Sequence, residues 1–506
     1  MGLYDYNTYS VIKRNALVHP DRIALISGNK KVSYQEFLEK VDRLSCGLLG
    51  AGVEKGDRIG ILAQNNMEFV YLYGAAAKVG AIILPINWRL KMEEIEYIIG
   101  DATPKVMFVG SEFQAMISPL ISKAGFPKKN YSLNHIQISE NFIPFNDLMK
   151  NDGVCPEVNV SSDDEYVIIY TAAIQGRPRG ATITHKNILF FNLQSMYCFR
   201  LTAEDVHIVL MPLFHNFGFT ISLNVMQAGG LNIIIPKFDV DIALKHIQEY
   251  RVSIFGVVPP MLDSLLNKAE EGNYDLSSLR IAVGLDRPDT IKKFEAMTAA
   301  TFWSVYAQTE TTGFVSMAPY FERPGSAGTP GFVSEVEIVD DHGRTVELGK
   351  SGEIVVRGPM VFKGYWNLEM DNKDTFRDDW HHTGDMGYLD ADGYLWYVGR
   401  SPKKELIKPG GENVYPAEVE KVILGHPMVL EVAVIGVPDP EWGEAIKAVC
   451  ILKKGESLVE AELIEYVGTR IARFKRPKHV VFVSSLPKTQ NGSVDRERVK
   501  SLYGGA

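Results

Sequence analysis

The sequence predicts a multidomain α/β protein with a large N-terminal part and a small α+β unit at the C-terminus. Two observations lead to this prediction. Apolar strand-like runs alternate with helix-like stretches between Arg58 and Ile235, a pattern typical of parallel sheets covered by helices. From Gly331 to Val398, short alternating runs are separated by turns, which indicates antiparallel β structure. A chain of 506 residues that changes pattern in this way is expected to fold as more than one unit.

The βα alternation comes first along the chain. We predict strands over five apolar runs, 58–63, 81–86, 105–109, 208–211 and 233–235. A helix is predicted over 66–79, where Phe69, Leu72 and Tyr73 lie near one face. An apolar face of this kind is expected to pack against a sheet.

A domain boundary is predicted at Arg400, so that residues 1–400 form an N-terminal domain and residues 401–506 a C-terminal domain. The segment that follows the boundary contains Ser401-Pro402 and a lysine pair, and it comes directly after a predicted strand. In the C-terminal domain we predict two helices and two strands, the helices near 417–423 and 458–472 and the strands at 430–437 and 479–483. This is a compact α+β unit of common domain size.

Composition narrows the classes of partner. The chain is 46% hydrophobic and 23% charged, an ordinary globular balance, and its net charge of -9 comes without a basic stripe, which argues against nucleic acid. No apolar run approaches the roughly 20 residues that span a bilayer, so no integral membrane segment is expected. The four cysteines show no paired spacing and the N-terminus shows no signal-peptide pattern. Both features favour a cytoplasmic protein with reduced thiols.

Four short motifs follow one another in the second half of the chain, and they read Tyr306-Ala307-Gln308-Thr309-Glu310, His382-Thr383-Gly384-Asp385, Gly399-Arg400 and Gly410-Gly411-Glu412-Asn413-Val414-Tyr415-Pro416. In this order and spacing they resemble the adenylate-forming (AMP-binding) superfamily of acyl-CoA synthetases, peptide-synthetase adenylation domains and luciferases. The resemblance runs from about Pro20 to Val499, and it suits an acyl-CoA synthetase or fatty-acid–CoA ligase. It implies an N-terminal domain of two α/β sheets plus a distorted β-barrel. The C-terminal domain would be a cap that rotates between two half-reactions.

The resemblance assigns roles in nucleotide binding. Glu310 would hold Mg²⁺ on the phosphates of ATP, a natural task for a carboxylate, and Thr309 would contact the phosphate of the adenylate. Tyr306 would stack on adenine. Asp385 would accept hydrogen bonds from the two ribose hydroxyls, and Arg400 would contact ribose or phosphate. The alternative for Glu310 is a surface glutamate after a polar turn. The alternative for Asp385 and Arg400 is a surface salt bridge.

The resemblance also places a phosphate-binding loop between 171 and 180. The chain keeps Thr171, Gly176 and Gly180 of that loop, and Arg179 stands in the position of its lysine. The hydroxyl side chains that the family shows in the middle are replaced at 172–175. Arginine can hold phosphate in a bidentate way. The alternative is an ordinary strand-to-helix turn.

Further residues are assigned to CoA and to the acid. Gly410 and Gly411 resemble the loop that lines the pantetheine tunnel, where two glycines let a thin substrate pass close to the backbone. Lys475 would meet the phosphates of CoA, unless it belongs to a solvated basic turn.

An apolar acid-binding cleft is expected around His215, Phe217 and Val258. Ala307 replaces the usual glycine at the edge of this cleft, and its methyl group is expected to narrow it. The alternative for His215 is a histidine of the apolar core with no part in catalysis.

One position departs from the family pattern. The segment 486–494 matches the final motif of the family, but Ser493 stands where the family has its catalytic lysine. That lysine stabilises the charge that develops between carboxylate and phosphate, and losing such a donor typically costs about 10²–10³ in rate. Lys488, Lys403 and Arg179 are candidates to replace it.

Three functions remain open. The first is an AMP-forming acyl-CoA synthetase that uses ATP, Mg²⁺ and CoA to activate an apolar acid, which is fatty, alicyclic or aromatic. The second is a variant limited to the thioester half-reaction or its reverse. The third is a non-catalytic protein that binds acyl-CoA or nucleotide. The sequence is compatible with a homodimer.

Overall fold

The computed structural model of the chain describes residues 2–123, 125–133, 140–171, 178–400, 406–488 and 494–505. The predictions for Gly176, Lys403 and Ser493, and for the segment 401–405 that follows the predicted boundary, lie outside these residues. Within the described residues the strands form four sheets of nine, eight, five and three strands.

The strands are, in chain order, β1 (Ile23–Ser27), β2 (Lys30–Ser33), β3 (Arg58–Leu62), β4 (Ile82–Pro85), β5 (Val106–Val109), β6 (Lys129–Ser132), β7 (Ile143–Pro144), β8 (Glu165–Thr171), β9 (Arg179–Thr184), β10 (Val206–Val209), β11 (Leu231–Ile234), β12 (Ile254–Val257), β13 (Ile281–Gly284), β14 (Thr301–Ala307), β15 (Phe314–Pro319), β16 (Thr329–Pro330), β17 (Glu335–Val339), β18 (Gly352–Arg357), β19 (Gly364–Tyr365), β20 (Phe376–Arg377), β21 (Trp380–Leu389), β22 (Leu395–Arg400), β23 (Val429–Asp439), β24 (Gly443–Leu452) and β25 (His479–Phe482).

The helices are α1 (Thr8–Val18), α2 (Tyr34–Gly50), α3 (Met67–Val79), α4 (Met92–Ala102), α5 (Ser111–Ile121), α6 (His185–Phe199), α7 (Asn216–Ala228), α8 (Val240–Tyr250), α9 (Met261–Gly272), α10 (Pro288–Thr298), α11 (Glu369–Thr375), α12 (Pro416–Leu424), α13 (Glu460–Gly468) and α14 (Arg496–Tyr503). In the part of the chain that the structure describes, none of these helices combines the length and the apolar character needed to cross a membrane.

Two large sheets pack against shared helices. Sheet 1 has the order β16-β15-β14-β13-β12-β10-β11-β1-β2, and sheet 2 has the order β19-β9-β8-β4-β3-β5-β6-β7. One apolar core contains Leu25 from sheet 1 and Ile83 from sheet 2. Between them lie Tyr73 of α3 and Phe219 of α7, whose ring centroids are 4.6 Å apart. Helices therefore fill the space between the sheets, as apolar faces on both require.

The predicted βα alternation is confirmed in these sheets. Strands β3, β4 and β5 pair in parallel, and so do β10 and β11. The predicted helix over 66–79 is α3. It begins after Asn66, whose side chain accepts a hydrogen bond from the Phe69 amide, and it ends at Gly80 with φ 69°. Both features are common helix-end signals.

The region predicted as antiparallel forms sheet 3, with the order β17-β18-β21-β20 and with β22 paired to β21. This is the part of the chain for which a distorted β-barrel was expected. The short helix α11 interrupts it. Sheet 3 brings β21 and β22 beside the end of β14, and this placement determines the candidate site.

The C-terminal residues form sheet 4, with the order β23-β24-β25, and the helices α12, α13 and α14. The predicted helix over 458–472 is shorter than expected and ends at Gly468. Strand β24 was not predicted. It pairs antiparallel with β23 along its whole length and parallel with β25.

Candidate active site

A buried carboxylate lies where β14 meets sheet 3. Asp385 of β21 is 2% exposed. The Tyr306 hydroxyl donates to its Oδ2 at 2.7 Å, and Gln308 Nε2 donates to the same oxygen at 2.6 Å. Gln308 also donates to the carbonyl of Thr383 at 3.1 Å. The sequence placed Tyr306 and Asp385 in one site, but it assigned no role to Gln308.

Arg400 faces the same carboxylate from β22. In the register of β21 and β22, Asp385 lies opposite Arg400, and Arg400 Nη1 is 3.6 Å from Asp385 Oδ1. Burial, and after it the charge of Asp385, raise the pKa of Tyr306 well above 10. Tyr306 therefore remains a hydrogen-bond donor at neutral pH. Tyr306, Gln308 and Arg400 thus surround Asp385 and hold its carboxylate in one orientation.

Glu353 holds the turn that carries Asp385. This residue of β18 accepts a hydrogen bond from the Gly384 amide at 2.9 Å and lies 2.8 Å from Nδ1 of His382. Gly384 has a φ of 66°, which side chains other than glycine rarely adopt. The strand β18 thus fixes the backbone on both sides of Thr383.

A second cluster surrounds Glu310, which follows β14 in a short 3₁₀ turn. Glu310 is 7% exposed, and Tyr365 donates to its Oε1 at 2.8 Å. Arg179 donates to the hydroxyl of Tyr365 at 3.0 Å, stacks on its ring at 3.9 Å and pairs with Asp371 at 2.9 Å. Neither Tyr365 nor Asp371 was predicted. Arg179, at the lysine position of the predicted phosphate loop, is held beside Glu310 by these contacts.

The loop that precedes Arg179 connects two antiparallel strands. Thr171 ends β8 and Arg179 begins β9, and the two residues are register partners. Gly180 lies opposite Tyr170 in the same ladder. The alternative of a strand-to-helix turn is therefore wrong, because a second strand comes before helix α6.

An open cleft lies between the N-terminal and C-terminal parts of the chain. Thr171, His215 and Thr309 line one side of it, and Glu412 and Lys475 line the other. The cleft thus brings together predicted residues from the phosphate loop, the acid pocket and the adenylate motif.

His215 caps helix α7. The Phe217 amide donates to Nδ1 of His215 at 3.2 Å. In the neutral ring the proton is therefore on Nε2, by inference from this hydrogen bond. Burial lowers the pKa of His215, and the charge of Glu412 partly opposes that shift. At neutral pH His215 is an uncharged ring that carries its proton on Nε2.

The predicted acid-pocket residues belong to two neighbouring apolar clusters. Phe217 packs edge-to-face on Phe314 with ring centroids 5.8 Å apart. Ala307, at the end of β14, packs against the same core cluster. Val258 packs on the neighbouring cluster, which includes Met261 at the start of α9. Ala307 ends β14 of sheet 1, Val258 directly follows β12 of the same sheet, and Phe217 lies on helix α7.

The glycine loop reaches this pocket from the C-terminal part. Gly410 and Gly411 have φ values of 56° and 82°. A Cβ atom on Gly410 would come within 2.6 Å of the Trp442 ring, and one on Gly411 would lie 3.4 Å from Val258. Both positions need glycine for conformation, and Gly410 also needs it for space.

Lys475 has an unexpected environment. Its Nζ lies 2.5 Å from Oε1 of Glu94 and 2.8 Å from Oε2 of Glu418, and its side chain is 5% exposed. Arg89 and Glu412 make a second ion pair across the same cleft. The predicted contact of Lys475 with CoA phosphates stays a prediction, while in this structure its ammonium group is paired with two carboxylates.

Two lysines of the described residues are candidates to replace the family lysine, at whose position this chain has Ser493. Lys488 pairs with Glu431 in the C-terminal part. Lys408, to which the sequence assigned no role, lies close enough to Arg400, Asp385 and Glu310 for their charges to act on it. Desolvation of its ammonium group by the surrounding protein, and after it the charge of Arg400, lower the pKa of Lys408 to about 8, while the residue as a whole is exposed to solvent. The sequence could have identified Lys408 as a candidate by its position directly before the Pro409-Gly410-Gly411 turn.

Comparison with known proteins follows the same division of the chain. Residues 12–366 match the family described as AMP-binding enzyme, and residues 418–493 match the AMP-binding enzyme C-terminal domain. An indoleacetate–CoA ligase of Aromatoleum aromaticum is 32% identical over 502 residues, which are 97% of each chain.

Two solved structures are similar over nearly the whole length. One is a double mutant of o-succinylbenzoate CoA synthetase from Bacillus subtilis bound with its product analogue, 29% identical, with 98% of each chain covered and a TM-score of 0.85. The other is an anthranilate CoA ligase in complex with anthranoyl-AMP, 27% identical, with 99% of this chain and 98% of that chain covered and a TM-score of 0.76.

Proposed function

The chain belongs to the AMP-binding enzyme family, and on this premise we propose that it is an AMP-forming carboxylic acid–CoA ligase that activates an apolar acid. The acid attacks the α-phosphate of ATP and forms an acyl-adenylate with release of pyrophosphate. The thiol of CoA then displaces AMP and forms the thioester. The acid is fatty, alicyclic or aromatic, because an apolar pocket suits all three.

The observation that supports this function best is the cluster around Asp385, in which Gln308 directly precedes Thr309 of the cleft lining. Tyr306 and Gln308 fix one carboxylate oxygen, and Arg400 faces the other. A carboxylate held in this way suits paired ribose hydroxyls, as acidic residues do in dinucleotide sites. The adenosine would lie against Tyr306, and the phosphates would extend past Thr309 towards Thr171.

Glu310 suits the expected Mg²⁺. Mg²⁺ is usually held by one or two carboxylates together with substrate phosphates and water, so a single protein carboxylate is sufficient. Tyr365 fixes one oxygen of Glu310 by a hydrogen bond of 2.8 Å. When bound, the ion would neutralise charge on the phosphates, and Arg179 beside it would add a fixed positive charge.

The second half-reaction would use the glycine loop. Gly410 and Gly411 bring a thin stretch of backbone to the acid pocket near Val258. His215 would donate from Nε2 to the acyl group. As parts of the same proposal we place the domain boundary at 400/401, with the C-terminal domain as a cap, and the enzyme in the cytoplasm, since its four cysteines are free thiols.

The test measures both half-reactions on the purified chain. Pyrophosphate exchange into ATP and thioester formation are followed with Mg²⁺, CoA and a panel of fatty, alicyclic and aromatic acids. We expect thioester and AMP to appear together for at least one acid. Asp385→Asn should lose about 10²-fold in exchange, because the amide cannot accept from both ribose hydroxyls. An unchanged affinity of Asp385→Asn for AMP in calorimetry would contradict the site.

Ser493 supports a second candidate, an enzyme limited to the thioester half-reaction or its reverse. In the same assay, thioester made from supplied acyl-adenylate without pyrophosphate exchange would favour this candidate. Ser493→Lys should then raise exchange by about 10²-fold or more. If Ser493→Lys does not raise exchange, the serine at this position is not what limits adenylation.

A further inference from the structure

A buried ion pair joins the C-terminal part of the chain to helix α4. Nζ of Lys475 lies 2.5 Å from Oε1 of Glu94, and the two side chains are 5% and 14% exposed. The amide of Ala472 donates to the other oxygen of Glu94 at 3.2 Å. A charged lysine with so little exposure is rarely found without a partner, so Glu94 stabilises it in this arrangement.

We propose that Lys475 and Glu94 are positioning residues for thioester formation, and that their pair holds the C-terminal part over the cleft during that step. The inference rests on the proposed ligase function and deepens it. Lys475 lines the cleft together with Glu412, so the pair lies where the two parts of the chain meet at the substrate. The ion pair of Arg89 with Glu412 closes the same side.

The three charges of this cluster are divided unequally between the two parts. Glu94 belongs to α4, whereas Lys475 and Glu418 both belong to the C-terminal part and lie 2.8 Å apart. A rotation of the C-terminal part would separate Lys475 from Glu94 and leave Lys475 paired with Glu418. Glu418 is therefore expected to stay paired with the lysine when the C-terminal part moves, whereas the contact with Glu94 depends on the arrangement seen here.

The glycine loop supports the assignment to the thioester step, because in the same arrangement Gly411 lies against Val258 beside the acid pocket, where a Cβ atom on Gly411 would be 3.4 Å from Val258. If the pair opened, the charges of Lys475 and Glu94 would be exposed to water and their buried hydrogen bond would be lost. A contact that exists in one of two arrangements shifts the equilibrium towards that arrangement. Loss of the pair should therefore slow the step that needs it and spare the other.

Glu94→Gln is the informative variant. Glu94 also accepts a hydrogen bond from the Lys91 amide at 2.9 Å and so caps α4. Glutamine can make the same cap, so the variant removes the charge and keeps the helix. Glu418→Gln is the matched control, because it removes the other carboxylate of the same lysine without touching the contact between the parts. Glu270→Gln, which breaks the ion pair with Lys293, controls for loss of charge elsewhere.

The two half-reactions are measured separately, as pyrophosphate exchange and as thioester formation from supplied acyl-adenylate and CoA. For Glu94→Gln we expect unchanged exchange and thioester formation lowered about ten- to a hundredfold. Glu418→Gln should lose less, and Glu270→Gln should lose nothing. Equal loss in both half-reactions, or unchanged thioester formation, would overturn the proposal. So would a raised KM for CoA in Lys475→Met with Glu94→Gln unaffected, since Lys475 would then be a CoA contact.

Hydrogen exchange at the Ala472 amide separates this proposal from the ligase function. Its bond to Glu94 is part of the contact between the two parts. Faster exchange in Glu94→Gln than in Glu418→Gln would support the pair even if the wild-type chain formed no thioester. If the Ala472 amide exchanged equally fast in Glu94→Gln and Glu418→Gln, the proposed role of the Lys475–Glu94 pair would be wrong, whatever the activity of the chain.

Discussion

Lys408 is a side chain whose charge is expected to change near neutral pH. Desolvation of the ammonium group and the charge of Arg400 lower its pKa to about 8, so the ammonium group is present below that pH and is lost as pH rises through it. If this cation stabilises the charge on the adenylate phosphate, kcat should fall above pH 8. Lys408→Arg should move this limb to higher pH. Lys408→Met should lose about 10²-fold relative to wild type below pH 8 and less above it, where the wild-type ammonium group is itself lost. A pH profile that is the same in Lys408→Arg would contradict the role.

At the residue scale the sequence predicted the members of the site better than their partners. Tyr306, Asp385 and Arg400 meet as expected because all three lie in motifs with a stated role. Gln308 and Tyr365 were missed because their roles depend on contacts across strands. Tyr365, for example, reaches Glu310 from 55 residues further along the chain, and no local pattern encodes such a contact.

At the scale of an element, the turn Pro409–Gly411 offers a test of the tunnel. Gly411→Ala adds a methyl group 3.4 Å from Val258 at a φ of 82°, which costs about 1–2 kcal/mol of backbone strain. We expect thioester formation to fall about tenfold or more and pyrophosphate exchange to stay near the wild-type rate. Gly455→Ala is the control, because Gly455 has a φ of 86° with nothing within 4 Å. If Gly411→Ala and Gly455→Ala lowered thioester formation equally, the loss would come from backbone strain alone and not from a narrowed tunnel.

The elements themselves were predicted where their patterns are strong. The βα units up to 235 appear as expected because long apolar runs identify buried parallel strands. Strand β24 was missed because charged residues interrupt its apolar pattern, as at Glu444 and Lys447. The hairpin of β8 and β9 was not expected, since a phosphate loop suggests a helix to follow. The β-branched run Thr182-Ile183-Thr184 was the signal that favours a strand there.

At the scale of the whole molecule, His185 links acid pH to the stability of the core between sheets 1 and 2. Its ring is fully buried and stacks on Tyr166 with centroids 4.2 Å apart. Within the described residues neither ring nitrogen has a hydrogen-bond partner. Burial lowers the pKa of His185 to about 3, whereas an unfolded chain has a histidine pKa of about 6.5. The unfolded state therefore binds a proton that the folded state excludes.

Stability should accordingly be lost as pH falls from about 6.5 towards 3, by about 2 kcal/mol at pH 5 from this one residue. His207, buried with a pKa lowered to about 4, adds to the same trend. We expect His185→Phe to raise the melting temperature at pH 5 relative to wild type and to change it little at pH 7, because phenylalanine keeps the stacking and cannot be protonated. Calorimetric scans at the two pH values measure this, with His342→Phe at an exposed site as the control. An equal shift of the melting temperature at both pH values would assign the effect to packing, and would mean that acid sensitivity arises elsewhere in the fold.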